Sequence, residues 1–384
     1  MAEKRKIVIV GSAWPLRGGG IATFNERLAK AWFDNGDEVI IYSFSLQYPA
    51  LLFPGTTQHS SDPAPEGLDI RVKVNSINPL NWLQVGKEIG KLKPDFVLFR
   101  FWIPFMAPCL GTIARQIRKA GIKTIAIVDN IIPHEKKLSD RLLARYFVNS
   151  VDYFIAMSQS VMDDLNTFDA NKPKKLTVHP LYDNFGEAVT RETALERTGL
   201  SDQYRYILFF GFIREYKGLD LLLKAMADGR IRKLPVRLVV AGEFYVDPAP
   251  YMQLMEDLHI SDKVVLKTEF IPNAEVVNYF CLADLVVQPY KSATQSGITQ
   301  VAYHFNKPMI TTNVGGLAEI VKHNEVGFVV NPDNDEIADA ICTFFDKDLE
   351  KPFAAAIQKE KNRFSWETML EAIDEVMGCG HRKK

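Results

Sequence analysis

Short runs of Val, Ile, Leu and Phe alternate with amphipathic stretches along nearly the whole chain, and this alternation restricts the fold more than any other feature. In the first half the runs that predict strands lie at 6–11 (KIVIVG), 38–44 (EVIIYSF), 69–74 (DIRVKV), 95–101 (DFVLFRF), 123–128 (KTIAIV), 152–157 (DYFIAM) and 175–179. In the second half they lie at 205–211, 236–241 (VRLVVA), 263–267, 284–288 (DLVVQ), 308–312 and 327–330. Several are continuous apolar runs, the pattern of parallel strands covered on both faces. Strands of this kind separated by helical segments imply open, doubly wound α/β sheets. So many strands exceed what one sheet usually holds, so two sheets with separate cores are expected. The polar stretch 181–205 has no strand pattern and is the expected boundary. It divides the chain into an N-terminal domain, 1–185, and a C-terminal domain, 200–362.

The chain length of 384 residues fits two domains. Hydrophobic residues make up 47 % and charged residues 24 %, ordinary for a globular protein. The net charge is −1, so bulk charge implies no nucleic-acid binding. The half up to residue 190 carries roughly +4 and the rest roughly −5, an offset too small to name a partner. The apolar run of "MAEKRKIVIVG" is too short for a secretory core and reads as a first buried strand. No apolar run is long enough to span a membrane. The four cysteines, Cys109, Cys281, Cys342 and Cys379, form no CxxC pair, which fits reduced thiols in a cytosol. Cys379 and His381 lie in a terminal tail and make a poor metal site. The segment 46–67, rich in Pro, Ser and Gly, is an unusually long loop. Helical patterns follow the last strand at 333–346, 353–363 and 366–377. Asp333 and Glu336 have capping-box spacing, and Ser365 is a candidate N-cap.

The candidate sites gather where strands run into helices. In open α/β sheets ligands bind at the carboxyl ends of strands, where helix N-termini favour anions. In "YILFFGFIREYKGLD" a buried strand ends at Gly211, and Arg214 and Lys217 precede Gly218 and a helix. Two cations there are expected to neutralise a phosphate or diphosphate. The alternative is a solvated loop in which the lysine pairs with Glu215 or Asp220. Gly18, Gly19 and Gly20 follow the first strand, too far from Gly11 for a dinucleotide fingerprint. Gly315 and Gly316 follow another strand, with Glu319 one turn on. In "QPYKSATQSGITQVAYHF" Ser296 and Gly297 open a helix whose first amides, on Gly297, Ile298 and Thr299, are available to an anion. Glycine loops at strand ends on both sheets suggest a cleft between domains.

The order of "GFIREYKGLD", "VVAGE", "FIPNAEVVNYFCLADLVVQPY", a helix-opening Ser-Gly, "KPMITTNVGGLAEIV" and "GFVVNPDNDEIADAI" resembles the C-terminal half of family 4 glycosyltransferases. "WPLRGGGIATFNERLAKAWFDNGDEV" is similar to their N-terminal glycine loop and first helix. The resemblance implies the GT-B fold, two Rossmann-like doubly wound domains facing a central cleft. It implies a nucleotide-sugar donor held mainly by the second domain and an acceptor against the first. The sugar would be transferred with retention, with no cofactor and no essential metal. Residue by residue, Lys217 matches the lysine facing the donor diphosphate. Arg214 stands in for an arginine that the family usually places at 212, which is Phe here. Gly19 and Gly20 match the loop near the donor phosphate. Gly315, Gly316 and Glu319 match the Gly-Gly-x-x-Glu of the second domain. Phe270 and Ile271 match the stretch whose backbone faces the nucleobase.

The departures are specific. Two glutamates usual around the helix-opening glycine fall near Ala293 or Thr294 and at Val301 or Ala302, and none of these is acidic. Gln295 and Gln300 are candidates for neutral hydrogen bonds in their place. Asp129 stands where a His-Asp pair is common, and His134 lies farther along; both are candidate catalytic residues with Arg214 and Lys217. The Asp-rich run 333–335 reads as a helix cap and not as a metal motif. Arg100 and Trp102 follow a strand and are candidates for the acceptor side, or for core. The segment 134–147, with Lys136, Lys137, Arg141 and Arg145, reads as a solvated basic helix surface, with anionic lipid the alternative partner. The terminal helix 365–377 is expected to pack back on the first domain. The expected function is a retaining glycosyltransferase acting on a glycan or lipid-linked acceptor, cytoplasmic and at the inner face of a membrane. The alternatives are a nucleotide-sugar epimerase of the same fold and a non-catalytic nucleotide-sugar or glycan-binding partner.

Overall fold

The computed structural model describes residues 4–17, 19–49, 53, 57–60, 63–132 and 139–378. The chain forms two compact units, one from residues up to Pro180 together with the segment from Phe364, the other from Leu181–Arg363.

The first unit is built on β1 (Lys6–Val10), β2 (Glu38–Leu46), β3 (Asp69–Asn75), β4 (Phe96–Phe101), β5 (Lys123–Val128), β6 (Tyr153–Ala156) and β7 (Lys174–Leu176). They form one parallel sheet in the order β3-β2-β1-β4-β5-β6-β7. The second unit is built on β8 (Arg205–Phe210), β9 (Val236–Ala241), β10 (Val264–Lys267), β11 (Leu285–Gln288), β12 (Met309–Thr312) and β13 (Gly327–Val330). Its order is β10-β9-β8-β11-β12-β13, again all parallel. Every residue of β4, β11 and β12 is buried, because helices cover both faces. Strand order reverses between β1 and β4 in the first sheet and between β8 and β11 in the second. These switch points leave a crevice at the strand carboxyl ends, where α/β sheets take ligands.

Helix starts follow local chemistry. The Asn78, Ser158, Thr190, Ser296, Asp333 and Ser365 side chains each accept from a backbone N–H of the turn they begin. Asp333 caps as expected, but Glu336 reaches back to the Asn331 N–H at 2.8 Å and not to the cap residue, so the capping box is half formed. The penultimate helix begins at Glu350 rather than 353, with Pro352 in its first turn, where a missing N–H costs nothing. The polar stretch after 181 contains the short helix Arg191–Thr198.

The helix Trp366–Val376 lies on the first unit. Trp366 meets Phe24 edge-on at 5.0 Å, and the Arg27 guanidinium lies 5.1 Å from its ring. Met369, Leu370 and Ile373 are buried with it. Arg5 joins the helix to the start of β1 through Asp374 at 2.5 Å, and Lys175 of β7 reaches Glu375 at 2.8 Å.

Candidate functional site

At the switch point of the second sheet, β8 ends at Gly211, yet its ladder with β9 continues. The Ile213 N–H donates to Glu243 at 2.8 Å and the Tyr245 N–H to Ile213 at 2.9 Å. The chain then turns through Glu215–Lys217 into the helix Leu219–Met226. Gly218 is obligatory there: its φ is +68°, and a Cβ would lie 1.9 Å from the Pro289 carbonyl oxygen at the end of β11. This contact pins Lys217 over the gap between β8 and β11.

The Lys217 ammonium lies against the Gly211 backbone, 3.1 Å from where a Cβ would sit, with the Ile298 side chain beside the same point. It is 5.7 Å from the Tyr290 ring. Among the described residues no carboxylate pairs with it. Asp220, the neighbour a solvated loop would use, is taken by Lys291 at 2.9 Å. Desolvation, with Arg214 nearby, lowers the Lys217 pKa to about 7. An unpaired, desolvated cation of this kind favours binding an anion. Arg214 is exposed, its guanidinium 5.0 Å from the Tyr245 ring.

The helix Gly297–His304 starts beside Lys217. Ser296 accepts from the Ile298 N–H at 3.3 Å, so of the three expected amides one is already engaged by the cap. Gly297 packs on Tyr182, whose ring a Cβ would meet at 2.6 Å. Thr299 faces β11 and exchanges hydrogen bonds with Gln288. Of the positions expected for the paired glutamates, Ala293, Val301 and Ala302 are buried apolar residues and Thr294 is a partly buried hydroxyl. Gln300 is fully buried in the same helix, and Gln295 is partly buried just before it. Gly315 holds the next loop close: its φ is +48°, a Cβ would lie 1.6 Å from the Ala293 oxygen, and the Gly316 N–H donates to Thr294 at 3.0 Å. Glu319 lies in the one-turn helix that follows. Phe270 and Ile271 are partly buried beyond β10, and the Phe270 ring is 6.5 Å from Phe212.

In the first unit Gly19 caps the helix Gly20–Asp34 in an extended conformation. Gly18 lies outside the described residues. Part of the long loop 46–67 folds onto the preceding turn, with the Arg17 N–H donating to Gln58 and the Ser60 N–H to Pro15, each at 2.8 Å. At the β1/β4 switch point, the Arg100 side chain is 1 % exposed. It grips Asp129, at the end of β5, through Nε at 2.5 Å and through Nη2. Its guanidinium stacks 3.8 Å from the Phe24 ring. Burial raises the Asp129 pKa while Arg100 opposes the rise. His179, missed in the sequence, packs edge-on against Phe24 at 5.2 Å. Burial holds its pKa down to about 3, so it is neutral near pH 7, with Nδ1 2.7 Å from the Pro180 oxygen. One arginine inside the otherwise apolar strand FVLFRF was the signal for this cluster, because a buried cation needs a partner. His134, and with it Lys136 and Lys137, lies outside the described residues. No group of three or more potential metal ligands occurs among the described residues.

Residues 18–181 match the family described as Glycosyltransferase Family 4, and residues 204–347 match the one described as Glycosyl transferases group 1. The chain belongs to glycosyltransferase family 4. A D-inositol 3-phosphate glycosyltransferase of Segniliparus rotundus is 27 % identical over 66 % of this chain and 58 % of its own length. A second, from Thermobifida fusca, is 25 % identical over 82 % of this chain and 77 % of its own length. The chain thus spans little more than half of the first of these relatives. Among solved structures, sucrose-phosphate synthase of Thermosynechococcus elongatus superposes with a TM-score of 0.75 at 16 % identity, covering 97 % of this chain and 98 % of that one. Anabaena HepE in complex with UDP does so with a TM-score of 0.72 at 17 % identity, covering 97 % and 99 %. The fold of this family 4 member is GT-B, with its two parallel sheets corresponding to the two Rossmann-like domains.

Proposed function

We propose that this chain is a retaining glycosyltransferase that transfers a sugar from a nucleotide-sugar donor to a glycan or lipid-linked acceptor. The carrying observation is Lys217, whose ammonium has no carboxylate partner among the described residues and sits at a switch point beside the start of Gly297–His304. Negative charge grows on the departing nucleoside diphosphate as the bond to the anomeric carbon breaks. Lys217, Arg214 and the free amides of that helix would stabilise this charge by fixed electrostatics, with no cofactor or metal ion required. With no acidic residue at 293, 294, 301 or 302, sugar and ribose would be held without the usual glutamates, with Gln295 a candidate donor or acceptor. UDP in the HepE complex and inositol phosphate in the curated relatives' names make UDP-sugars and phosphorylated polyols the first compounds to test.

A peripheral membrane site is part of the same reading. Leu80 is 71 % exposed on the helix Pro79–Leu92, and Leu142 is 72 % exposed on Asp140–Val148, which also presents Arg141 and Arg145. On Asp140–Val148 an exposed leucine beside exposed arginines suits anionic lipid. No helix among the described residues is long and apolar enough to cross a membrane.

Titration calorimetry of wild type and Lys217→Ala with UDP and GDP tests the central assignment. The substitution is expected to weaken binding by about 1.5–3 kcal/mol, the worth of a charged hydrogen bond. Unchanged affinity for every nucleotide that the wild type binds would refute it. Turnover in EDTA is expected to stay within about twofold of the control, since the charge is met by side chains and amides. Loss of activity restored by Mn²⁺ would contradict the metal-free reading.

A further inference from the structure

The first unit carries a second concentration of positive charge, apart from its switch point. The helix Ala107–Lys119 follows β4 and runs back toward the amino end of β5. Its second half forms one wall of an open groove of about 590 Å³, within the roughly 300–1,000 Å³ usual for small-molecule sites. Thr112, Arg115, Gln116, Arg118 and Lys119 line the groove from this helix, and Tyr146 lines it from Asp140–Val148. Half of these side chains are cations and none is an acid.

The surrounding residues fix one arginine. Gly111 lets the neighbouring chain come close, since a Cβ there would lie 2.6 Å from the Tyr146 ring and 3.2 Å from the Ser150 hydroxyl. The Tyr146 hydroxyl is tied to the Thr112 hydroxyl at 2.8 Å. The Arg115 guanidinium sits over the Tyr146 ring at 4.1 Å, and its Nε donates to Ser150 at 2.9 Å. That leaves the edge carrying its two terminal amino groups. Among the described residues neither these groups nor the exposed Lys119 ammonium has a partner. Asp152 does not compete for them, because it is taken by Arg118 at 2.7 Å and by the Thr124 hydroxyl at 2.8 Å. A guanidinium edge held in place without an acid matches two oxygens of a phosphate. Leu142, one helical turn from Tyr146 and 72 % exposed, offers an apolar surface to whatever the phosphate is attached to.

We propose that this groove is a phosphate-binding site, in which Arg115 takes two oxygens of a phosphate ester and Lys119 adds a second charge. It lies away from Lys217 and does not depend on the nucleotide-sugar reading. The ester is a soluble metabolite or the headgroup of an anionic lipid, and the contact chemistry is the same for both. In the second case the groove is a headgroup subsite of the membrane surface proposed above and rests on that reading.

The test uses the full chain carrying Lys217→Ala, which removes the other anion site. It is titrated with glycerol 3-phosphate by calorimetry and sedimented with phosphatidylglycerol or phosphatidylcholine vesicles. Saturable binding of glycerol 3-phosphate assigns the site to a soluble ester. Binding of phosphatidylglycerol vesicles alone assigns it to a lipid headgroup. In the arm that binds, Arg115→Lys keeps the charge but loses the fork and is expected to weaken binding about tenfold. Lys119→Gln is expected to weaken it several-fold. Lys224→Gln removes an exposed charge from the second unit and is expected to change binding less than twofold. If the melting transition shows that Arg115→Lys is not folded, Lys119→Gln decides. Binding in neither arm, or binding indifferent to the groove variants, overturns the site. So does equal weakening by Lys119→Gln and Lys224→Gln, which would mark general charge attraction. None of these results bears on the donor reading, which stands or falls with Lys217 and nucleotide.

Discussion

The lowered pKa of Lys217 gives nucleotide binding a specific pH dependence. In the free protein the group titrates at about 7, because its ammonium is desolvated and Arg214 is near. A bound diphosphate supplies the missing counter-charge and restores the proton, so binding above pH 7 takes up a proton. Affinity then falls as pH rises, because less of the free protein is in the competent charged form. For a pKa of about 7, the loss between pH 7 and 8.5 is about 15-fold, or about 1.6 kcal/mol. At pH 8 roughly 0.9 proton is absorbed per nucleotide bound. Calorimetry of UDP or GDP in buffers of different ionisation enthalpy measures both quantities. Lys217→Arg stays charged throughout and is expected to show neither effect. The terminal phosphate ionises near pH 6, below this window, so it does not account for the slope. The unliganded fold responds oppositely. Its Lys217 holds fewer protons than the unfolded chain between about pH 7 and the ordinary lysine value of 10.5. Its cost is therefore full below pH 7 and is relieved as pH rises through that window. Nucleotide affinity independent of pH from 7 to 8.5, with no proton uptake, would refute the assignment of Lys217 to the diphosphate.

Trp366→Ala removes a buried side chain packed on Phe24 and Arg27, and is expected to cost about 3–5 kcal/mol, seen as a melting transition lowered by about 6 °C or more. Gly218→Ala places a Cβ 1.9 Å from the Pro289 oxygen at a positive φ, so nucleotide binding should weaken markedly even though no ligand-facing side chain changes. Leu80→Asp combined with Leu142→Asp is expected to reduce sedimentation with phosphatidylglycerol vesicles several-fold while calorimetric nucleotide affinity holds; unchanged sedimentation would remove the membrane proposal.

Much of the site's placement was legible in the chain. Lys217 and Gly218 follow a run too apolar to be anything but a buried strand, so a cation at a strand end needed no structure to be read. Asp333 and Ser365 announced their helices by residue type and spacing. His179 was not legible, since a histidine between a short strand and a proline carries no pattern of its own. Tyr245 was missed for a related reason. The segment after "VVAGE" reads as loop, and its alternation shows only when the ladder with Ile213 continues past β9.

The sequence by itself determined the two parallel sheets, because uninterrupted Val/Ile/Leu runs of five or six residues must be covered on both faces and the helical stretches between them supply the cover. It also determined which cations and glycines stand at strand ends. The tertiary structure decided how those cations are used. Strand order put Gly218 against Pro289, gave Asp220 to Lys291 and left Lys217 without a carboxylate among the described residues. It gave Asp129 to Arg100, and brought Phe212 near Phe270 and Tyr245 and Arg214 near Tyr245. Each of these contacts joins residues about 30 or more positions apart. Local propensity acts over a few residues, so the choice among partners waits on which strands lie side by side.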